Sequence, residues 1–405
     1  MEKHWKSVVA RSVLDYFFDA QKKAGGSAET MPVILPTPSE FLITIHRHKL
    51  FFVSVVKEEV SPLLVVEFLH RVVDIFEDYF SGCNELLIKE HYVVVYELLD
   101  EMLDNGYPLA TESNILKELI KPPTVFRAIA NSVTGRTNVS ATLPHGQISQ
   151  IPWRRSGVKY TNNEAYFDVI EEVDATFDRS GSVVASEIQG CVDCCVKLSG
   201  NPDLLLSYAN PRLFDDVSFH PCVRYKKWEQ ERVISFIPPD GNFRLMSYVI
   251  HSSNMTQLPI GVRHSITFKE GSGGRIDLQL SPRSTGNKPL ENVVIECKMP
   301  KTVLNVNVTC NQGRQTFDSA SKQLVWDVGR IDPQGKAHPF MRGSLVLQSG
   351  SPVPDHNPVI HVKFLINQFC ISGVKVNRLD LYSEKYKPFK GVKYVTRSGN
   401  FQIRT

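Results

Sequence analysis

The chain has 405 residues, of which 42% are hydrophobic and 22% are charged, and its formal net charge is +3. This length is too great for one ordinary hydrophobic core and predicts two or three domains in a folded, water-soluble protein. The near balance of charge gives no argument for a nucleic-acid partner. No run of about eighteen apolar residues is present, and charged residues interrupt the N-terminal stretch, so neither a membrane-spanning helix nor a secretory signal is expected.

Residues 1–121 mix helical and strand patterns, which predicts an α+β module with a small sheet. The predicted elements in chain order are a helix over Val8–Gln21, a hairpin of Phe41–His46 and Leu50–Val56, a helix from Pro62 to near Gly82, and a helical pair over Ile88–Asn105 and Glu112–Ile120. Proline is favoured at the first position of a helix and glycine commonly follows its last residue, so Pro62 and Gly82 limit the long helix. By the same rule Gly106 separates the last two predicted helices. The β-rich runs lie only a few residues apart, so they favour a hairpin.

Residues 122–152 lack apolar periodicity and are rich in Pro, Thr, Ser, Asn and Gly, which indicates a linker. From there to the C-terminus the pattern is one of short alternating runs with turn signals and almost no helix. The predicted strands include Ala165–Val173, Ser182–Lys197, Arg275–Leu280, Val293–Cys297, Gln323–Val328, Gly343–Leu347 and His361–Ile366. Alternation over this length predicts an elongated, two-lobed β-sandwich.

A further hairpin is predicted from turn chemistry in the segment Phe219–Tyr248. Strand-like runs around Ile234 and Leu245 flank the turn Pro238–Gly241. Proline presets the backbone for a turn and glycine supplies the positive φ that many turns need.

The eight cysteines read as reduced thiols, because no secretory signal accompanies them. Cys191 and Cys194 have the spacing of a redox pair or of half a zinc site. No second pair with suitable spacing lies nearby, and a strand would put these two residues on opposite faces. We therefore expect neither a metal nor a cofactor.

Several long segments resemble one family, the medium (mu) subunits of the clathrin-adaptor complexes. They are Phe219–Tyr248, Tyr96–Glu112, Asn114–Pro123, Val158–Asp168 and Gly391–Gly399, and they agree with the family in order and spacing. Three of them, Asn114–Pro123, Val158–Asp168 and Gly391–Gly399, are most similar to the mu subunit of the third class of adaptor complex. The resemblance implies a longin-like domain over residues 1–121, a linker over 122–152 and a mu homology domain over 153–405.

One departure from the family concerns the start of the chain. Family members begin with an apolar strand before a segment like Glu2–Trp5, whereas Met1 directly precedes that segment here. The missing strand would be central in a longin sheet, so we expect an alternative or mispredicted start, in preference to a domain completed by partner subunits.

The resemblance implies that the protein binds Tyr-x-x-Φ peptides, where Φ is a bulky apolar residue, as an added strand on the edge of the sandwich. The tyrosine pocket carried over from the family motifs consists of Tyr166, Asp168, Lys393, Cys195 and Lys197. The pocket for Φ consists of Phe167, Val376, Leu379 and Val392, and the docking edge runs through Val392, Lys393 and Tyr394. In this scheme the carboxylate of Asp168 accepts the proton of the signal's phenol.

Two positions depart from the common pocket pattern, and each candidate residue also has a simpler interpretation. A lysine that helps to hold the tyrosine in other classes is Cys195 here, and an arginine beside the ring is Lys393. Both changes predict a weaker tyrosine pocket. The apolar residues could be ordinary sandwich core, and Lys393 could belong to a solvated basic face. A structural coat subunit that does not bind cargo directly is therefore the alternative function.

The family further implies a heterotetramer of two large subunits, one small subunit and this medium subunit. It implies binding to the cytosolic tails of membrane cargo during transport toward lysosomes and related organelles, on the cytosolic face of Golgi, endosomal and vesicle membranes. The basic run from Lys385 to Arg397, with Lys226 and Lys227, could contact acidic lipids. The chain contains no G-x-S-x-G, HExxH or P-loop motif, so we do not expect an enzyme.

Overall fold

The computed structural model describes residues 1–24, 31–123, 151, 153–154, 157–251, 258–269, 273–283, 285–335, 338–348, 350, 352–354 and 357–405. The chain divides into two compact units, Met1–Ser156 and Gly157–Thr405. Most of the predicted linker over residues 122–152 lies outside the described residues.

The N-terminal unit combines a three-stranded antiparallel sheet with five helices among its described residues. The sheet has the order β1-β2-β3, and its strands are β1 Ile34–Pro36, β2 Phe41–Arg47 and β3 Leu50–Val56. The helices are α1 Val13–Lys23, α2 Pro62–Phe80, α3 Glu85–Glu90, α4 Tyr92–Met102 and α5 Ser113–Leu119, and two short strands, β4 Leu103–Asp104 and β5 Tyr107–Pro108, follow α4.

Local chemistry explains the hairpin and the long helix in this unit, and both predictions are confirmed. His48 and Lys49 connect β2 to β3 with φ angles of 53° and 62°. A two-residue turn with two positive φ angles matches the right-handed twist of antiparallel strands. Pro62 begins α2 and the left-handed Ser81 ends it. One face of α2 packs against β2 and β3, and the hydroxyl of its Tyr79 donates a hydrogen bond of 3.0 Å to the carbonyl oxygen of Ile120.

Two predictions for this unit need correction, and one strand was missed. The first helix begins at Val13 rather than Val8. The predicted single helix over Ile88–Asn105 is divided at His91, whose ψ of 26° departs from the helical value, and its second part ends at Met102. Strand β1 was not predicted because a three-residue strand is too short to show alternation.

The C-terminal unit consists of three sheets and one α-helix among its described residues. Its strands are β6 Glu164–Phe177, β7 Val183–Lys197, β8 Asp203–Tyr208, β9 Asp216–Phe219, β10 Val233–Phe236, β11 Gly241–His251, β12 Ile260–Lys269, β13 Gly273–Pro282, β14 Leu290–Lys298, β15 Val303–Cys310, β16 Arg314–Asp318, β17 Gln323–Ile331, β18 Phe340–Leu347, β19 Val359–Asn367, β20 Val376–Tyr382 and β21 Phe389–Arg404. The sheet orders are β16-β17-β14-β19-β21-β6-β7-β11-β9, β12-β13-β18-β15 and β10-β8-β20. The prediction of a β-rich C-terminal domain is thus confirmed.

A strand with regular alternation of burial, β6, lies near the centre of the large sheet. In β6 the side chains of Ala165, Phe167, Val169 and Val173 are buried, while the intervening side chains are more exposed. A strand with period two buries one face and leaves the other open. β6, the first strand of this unit, pairs antiparallel with β7 and parallel with β21, the last strand of the chain.

The predicted hairpin around Pro238–Gly241 is wrong. The strand at Ile234 is β10, which pairs with β8, whereas the strand at Leu245 is β11, which pairs with β7 and β9 in a different sheet. The turn chemistry is present, with Gly241 at a φ of 87°, but the connection passes from one sheet to another. The same segment contains an unpredicted helix, α6 Tyr225–Glu231, which buries Trp228.

No helix in the described ranges is long and apolar enough to cross a membrane.

Close packing of β18 against β15 generates a stability prediction. A Cβ atom added to Gly343 would lie 2.0 Å from the carbonyl oxygen of Asn307, so the substitution Gly343→Ala forces the backbones apart. Gly273 on the neighbouring β13 is a matched control, because its added Cβ would meet only the carbonyl oxygen of Leu345, at 3.8 Å. We expect Gly343→Ala to lower the free energy of unfolding by about 1–3 kcal/mol and Gly273→Ala to change it by less than about 1 kcal/mol, as measured by calorimetry. Equal effects of the two substitutions would contradict this packing.

Candidate functional site

The site predicted from sequence lies where β21 begins. On one side, β21 pairs with β6 from Phe389↔Glu164 onward. On its other side, the pairs of β19 with β21 extend no further toward the start of β21 than Asn367↔Val395. Among the described strands, therefore, none pairs with the outer side of residues 389–393.

Alternation of the backbone identifies the groups that this open edge presents. The N–H of Phe389 donates to the carbonyl oxygen of Asn163, at 2.9 Å, so the backbone groups of residue 389 face β6. In a regular strand the N–H and C=O of alternate residues point to opposite sides, so Lys390 and Val392 face outward. Tyr394 also faces outward, but its carbonyl oxygen already accepts the N–H of Gln368, at 2.8 Å.

The predicted docking edge at Val392, Lys393 and Tyr394 therefore lies at the end of the open segment. Val392 presents its backbone outward, while the backbone groups of Lys393 face β6. Tyr394 marks the point at which the outer side becomes occupied. The edge that this geometry offers is centred on Lys390 and Val392.

One face of this edge brings together all the residues predicted for the tyrosine pocket. Tyr166 lies opposite Cys195 on β7 and Gly391 on β21. Asp168 lies opposite Lys393 on β21, and Lys197 on β7 lies opposite Glu164. Because strand residues two apart share a face, Tyr166, Asp168, Lys393, Cys195 and Lys197 project to the same side of the sheet.

The side chain of Tyr166 is exposed and contacts three neighbours that the sequence analysis did not assign to the pocket. Its hydroxyl donates a hydrogen bond of 2.8 Å to Oε2 of Glu164, and this bond raises the pKa of the phenol. The ring passes over Gly391, since a Cβ atom at that position would lie 3.0 Å from Cδ1 of the ring. Phe389 packs beside it, with ring centroids 5.6 Å apart. The period-two spacing of Glu164, Tyr166 and Asp168 was the available signal for Glu164.

Asp168 lies in a row of charged residues that crosses four strands. Lys393 is its neighbour on one side and Asp193 on the other, and Asp193 forms an ion pair with Arg244, with 2.7 Å between Oδ1 and Nε. No hydrogen bond to the carboxylate of Asp168 is found within the described part of the chain, so this carboxylate offers acceptor oxygens on the exposed face. Such a group is suited to accept a phenolic proton donor.

The opposite face carries the residues predicted for the apolar pocket. Phe167 lies opposite Val392 across the β6–β21 pair, and its side chain has no exposed surface. Val376 and Leu379 come from β20, which belongs to the small sheet. Val376, Leu379 and Val392 are half-buried. The structure thus makes Phe167 a core residue beneath this face and leaves the other three partly accessible.

Two contacts hold β20 beside the open edge. The N–H of Val376 donates to the hydroxyl oxygen of Tyr394, at 3.0 Å, and the ammonium group of Lys390 donates to the carbonyl oxygen of Leu379. Lys390 was predicted only as part of a basic run, and its contact with β20 has no signal in the local sequence. The two contacts place the side chains of Val376 and Leu379, called the apolar wall below, next to the unpaired backbone of β21.

The two faces suit a peptide with two recognition residues three positions apart. In an extended chain, residues separated by an odd number of positions point to opposite faces. A side chain that enters the face of Tyr166 and Asp168 is therefore followed, three residues on, by a side chain that enters the face of Val392. The geometry matches the spacing of the predicted signal.

The remaining predicted features contribute less to this site. Cys191 and Cys194 lie three residues apart on β7, and Cys194 is the more buried of the two. No group of three metal-binding side chains is found within the described ranges. In the predicted basic run, Arg397 pairs with Glu172, with 2.8 Å between Nη2 and Oε2, while Lys385, Lys387 and Lys393 are exposed.

Comparison with known families agrees with this architecture. Residues 151–405 match the Adaptor complexes medium subunit family, and residues 41–122 match the Clathrin adaptor complex small chain. The chain belongs to the family of adaptor complex medium subunits. This family consists of adaptors rather than enzymes, which confirms the prediction made from the absent catalytic motifs.

Individual relatives place the chain within that family. It is 61% identical over 406 residues to AP-3 complex subunit mu-1 of Homo sapiens, covering 100% of this chain and 96% of the relative. It is 59% identical, with the same coverage, to AP-3 complex subunit mu-2 of Homo sapiens. A homology model of the full-length AP-3 complex in an intermediate open conformation matches with a TM-score of 0.57 at 17% identity and covers 90% of this chain and 87% of that one. The predicted resemblance to the third class of adaptor is confirmed.

Cysteine burial generates a prediction that reports on the candidate site. Burial raises the pKa of Cys297 to about 12 and that of Cys194 well above its usual range, whereas Cys195 is half-exposed on the face of Tyr166. Because the thiolate is the reactive form, a thiol of pKa about 12 is only about one part in 10⁴ reactive at pH 8. We expect iodoacetamide at pH 8 to modify Cys195 at least about tenfold faster than Cys194 or Cys297, as followed by peptide mass spectrometry.

The unfolded chain serves as the control, because all its cysteines should react at similar rates. Equal modification of Cys194 and Cys195 in the folded chain would show that β7 does not have the facing described above.

Proposed function

We propose that this chain is the medium subunit of a heterotetrameric vesicle-coat adaptor complex and that it binds Tyr-x-x-Φ sorting signals in the cytosolic tails of membrane cargo. The observation that carries the proposal is the open edge of β21, flanked by a polar face that presents the carboxylate of Asp168 and by an apolar face. Membership of the adaptor medium subunit family supports the same role.

In the proposed complex, the signal adds a strand to β21. Its backbone pairs with the outward groups of Lys390 and Val392, in the manner of β-augmentation. The tyrosine enters the face of Tyr166, where Asp168 accepts its hydroxyl proton and the stem of Lys393 covers its ring. The Φ side chain enters between Val392 and the β20 residues Val376 and Leu379.

The composition of the pocket favours weak binding. Cys195 supplies no cation beside the tyrosine, and Lys393 lacks the planar group of an arginine. Lys197 shares their face but lies opposite Glu164, one row beyond Tyr166. The signal has two small anchoring side chains, its tyrosine and Φ, and pairs its backbone with only two outward residues of β21. These contacts suggest a binding free energy of roughly −5 to −8 kcal/mol. Several such contacts on one membrane would then act together.

The relatives support a proposal for the assembly and the location of this chain. The mu-1 and mu-2 relatives are named as subunits of the AP-3 complex, so we propose two large subunits and one small subunit as partners. The N-terminal unit exposes several large apolar side chains, including Leu63, Leu64 and Leu86, which suits a domain covered by partners. We place the complex on the cytosolic face of Golgi, endosomal and vesicle membranes, in transport toward lysosomes and related organelles, with the exposed lysines of the basic run near acidic lipids.

Calorimetric titration of the full chain with a Tyr-x-x-Leu peptide tests the proposed function. We expect saturable binding that is weakened about tenfold or more by Asp168→Ala, because the phenol then loses its charged acceptor. A peptide with alanine in place of the tyrosine should lose a similar amount. Asp216→Ala is the matched control, since Asp216 is an exposed carboxylate on β9 at the far edge of the same sheet and should leave binding unchanged.

Absence of binding by a folded chain would favour the alternative, a structural coat subunit without direct cargo binding. Binding that does not respond to Asp168→Ala would place the tyrosine elsewhere.

Phosphorylation of the signal tyrosine should abolish the interaction. A phosphate would add about −1.5 to −2 charges next to the carboxylates of Glu164 and Asp168, against which Lys393 and Lys197 offer partial compensation. We expect the phosphopeptide to bind at least about tenfold more weakly in the same titration. A peptide phosphorylated on a serine outside the signal controls for total charge, and equal weakening of both peptides would contradict a carboxylate at the tyrosine.

A further inference from the structure

A buried polar row crosses the large sheet close to the candidate site. Thr396, Glu171, Gly190 and Tyr248 are cross-strand neighbours on β21, β6, β7 and β11. Glu171 and Thr396 have no exposed surface, and Tyr248 is 2% exposed. A carboxylate without exposed surface is costly unless charged partners or hydrogen bonds compensate it, so its contacts define what it does.

The carboxylate of Glu171 accepts hydrogen bonds from three donors. Oε1 accepts from the hydroxyl of Tyr248, at 3.0 Å, and from the hydroxyl of Ser372, while Oε2 accepts the backbone N–H of Ser372, at 3.1 Å. Burial raises the pKa of Glu171, while the hydrogen bonds from Ser372 and Tyr248 oppose that shift. The pKa is raised overall, so the donors offset only part of the cost of burying this charge.

The contact between Glu171 and Tyr248 exists because the strand between them carries a glycine. A Cβ atom at Gly190 would lie 2.1 Å from two ring carbons of Tyr248, so the ring lies across β7 where a side chain is missing. Only glycine leaves room for this approach. Tyr248 thereby reaches the carboxylate two strands away.

The other contacts of the row hold the segment that connects β19 to β20. Thr396 donates its hydroxyl to the carbonyl oxygen of Phe369, at 2.9 Å, and accepts the N–H of Ile371, at 3.2 Å. Ser372, held by Glu171, accepts the N–H of Val374 on its own hydroxyl oxygen, at 3.0 Å. The chain then enters β20 at Val376. Glu171 is thus linked through one serine to the residues that immediately precede the apolar wall.

We propose that Glu171 is a positioning residue that sets the selectivity of the apolar pocket, by holding the 368–374 segment so that β20 keeps a fixed distance from the open edge of β21. The proposal rests on the proposed function, because it assigns to Val376 and Leu379 a Φ side chain that the signal supplies. Glu171 itself contacts no ligand. Its carboxylate fixes the position of the apolar wall relative to β21. That position determines which Φ side chains fit between the apolar wall and Val392.

The substitution Glu171→Gln tests this role with little change in shape. A carboxamide offers one acceptor oxygen, so its amino group must face either the N–H of Ser372 or the two hydroxyl groups. The hydroxyl of Ser372 already accepts the N–H of Val374, so reorientation of that hydroxyl disturbs the turn before β20.

Two matched control variants separate the contributions of the residues in the buried polar row. Tyr248→Phe removes a hydroxyl whose hydrogen bond goes to Glu171 and not to the 368–374 segment, and Ser372→Ala removes the hydroxyl that links Glu171 to that segment.

The experiment compares the full chain and the three variants in two measurements. The first is titration with peptides of the form Tyr-x-x-Φ in which Φ is Leu, Ile, Met, Phe or Ala, together with the peptide that lacks the tyrosine. The second is hydrogen exchange at the amides of residues 371–379, which needs no ligand.

For the wild-type chain we expect about a tenfold or greater preference for Leu over Ala at the Φ position. In Glu171→Gln and Ser372→Ala the preference for Leu over Ala should fall to about threefold or less. The fold loss of affinity on removing the tyrosine from the peptide should stay the same as in the wild-type chain. Amide exchange over residues 371–379 should accelerate about tenfold in both variants. Tyr248→Phe should keep the wild-type preference.

Unchanged Φ preference together with unchanged exchange in Glu171→Gln would overturn the proposal. So would an equal loss of the tyrosine and Φ contributions, since that result indicates general destabilisation rather than positioning. If the wild-type chain binds no peptide, the proposed function fails, and the exchange measurement alone then decides whether Glu171 holds the segment before β20.

Discussion

Parallel pairing between β21 and β6 is the contact on which the candidate site depends. β21 is 16 residues long, and β6 supports it from Phe389 to Ile403, whereas β19 supports its other side only from Val395 onward. The difference in length leaves backbone groups of Lys390 and Val392 without a strand partner among the described strands. Because β6 also carries Tyr166, Asp168 and Glu171, one strand supports the edge, supplies the polar face and anchors the segment that leads to the apolar wall.

Features with strong local signals could be predicted from sequence. The β2–β3 hairpin follows from two β-rich runs separated by a short connection, and α2 follows from an apolar stripe that begins at a proline. Alternation along β6 and β7 is sufficient to put Tyr166 and Asp168 on one face of their strand, and Cys195 and Lys197 on one face of theirs. The resemblance to adaptor medium subunits then named those residues as a pocket, which alternation alone could not do, since a polar face of a sheet is common.

Features that depend on which strands become neighbours could not be predicted. The runs at Ile234 and Leu245 have the chemistry of a hairpin, yet each strand joins a different sheet, and no local property of Pro238–Gly241 expresses that preference. The same limit applies to Glu171. Alternation along β6 puts Glu171 on the buried face with Phe167 and Val169, but only the tertiary structure shows which groups bond its carboxylate, while Glu172 on the other face pairs with Arg397. The hydrogen bond from the N–H of Gln368 to the carbonyl oxygen of Tyr394 is also non-local. The sequence therefore could not show that Tyr394 lies where the open edge ends.

The two outward residues of β21 have a consequence for the physical state of whatever binds there. A ligand that pairs with this edge must offer bare backbone N–H and C=O groups over several residues, and a helix or a paired strand has already consumed those groups. Under the proposed function, the edge therefore binds a Tyr-x-x-Φ sequence that is extended and unpaired but not one that is folded. Folding or unfolding of a cargo tail would then act as a switch for its transport, without any change in the sequence of the tail or in the adaptor.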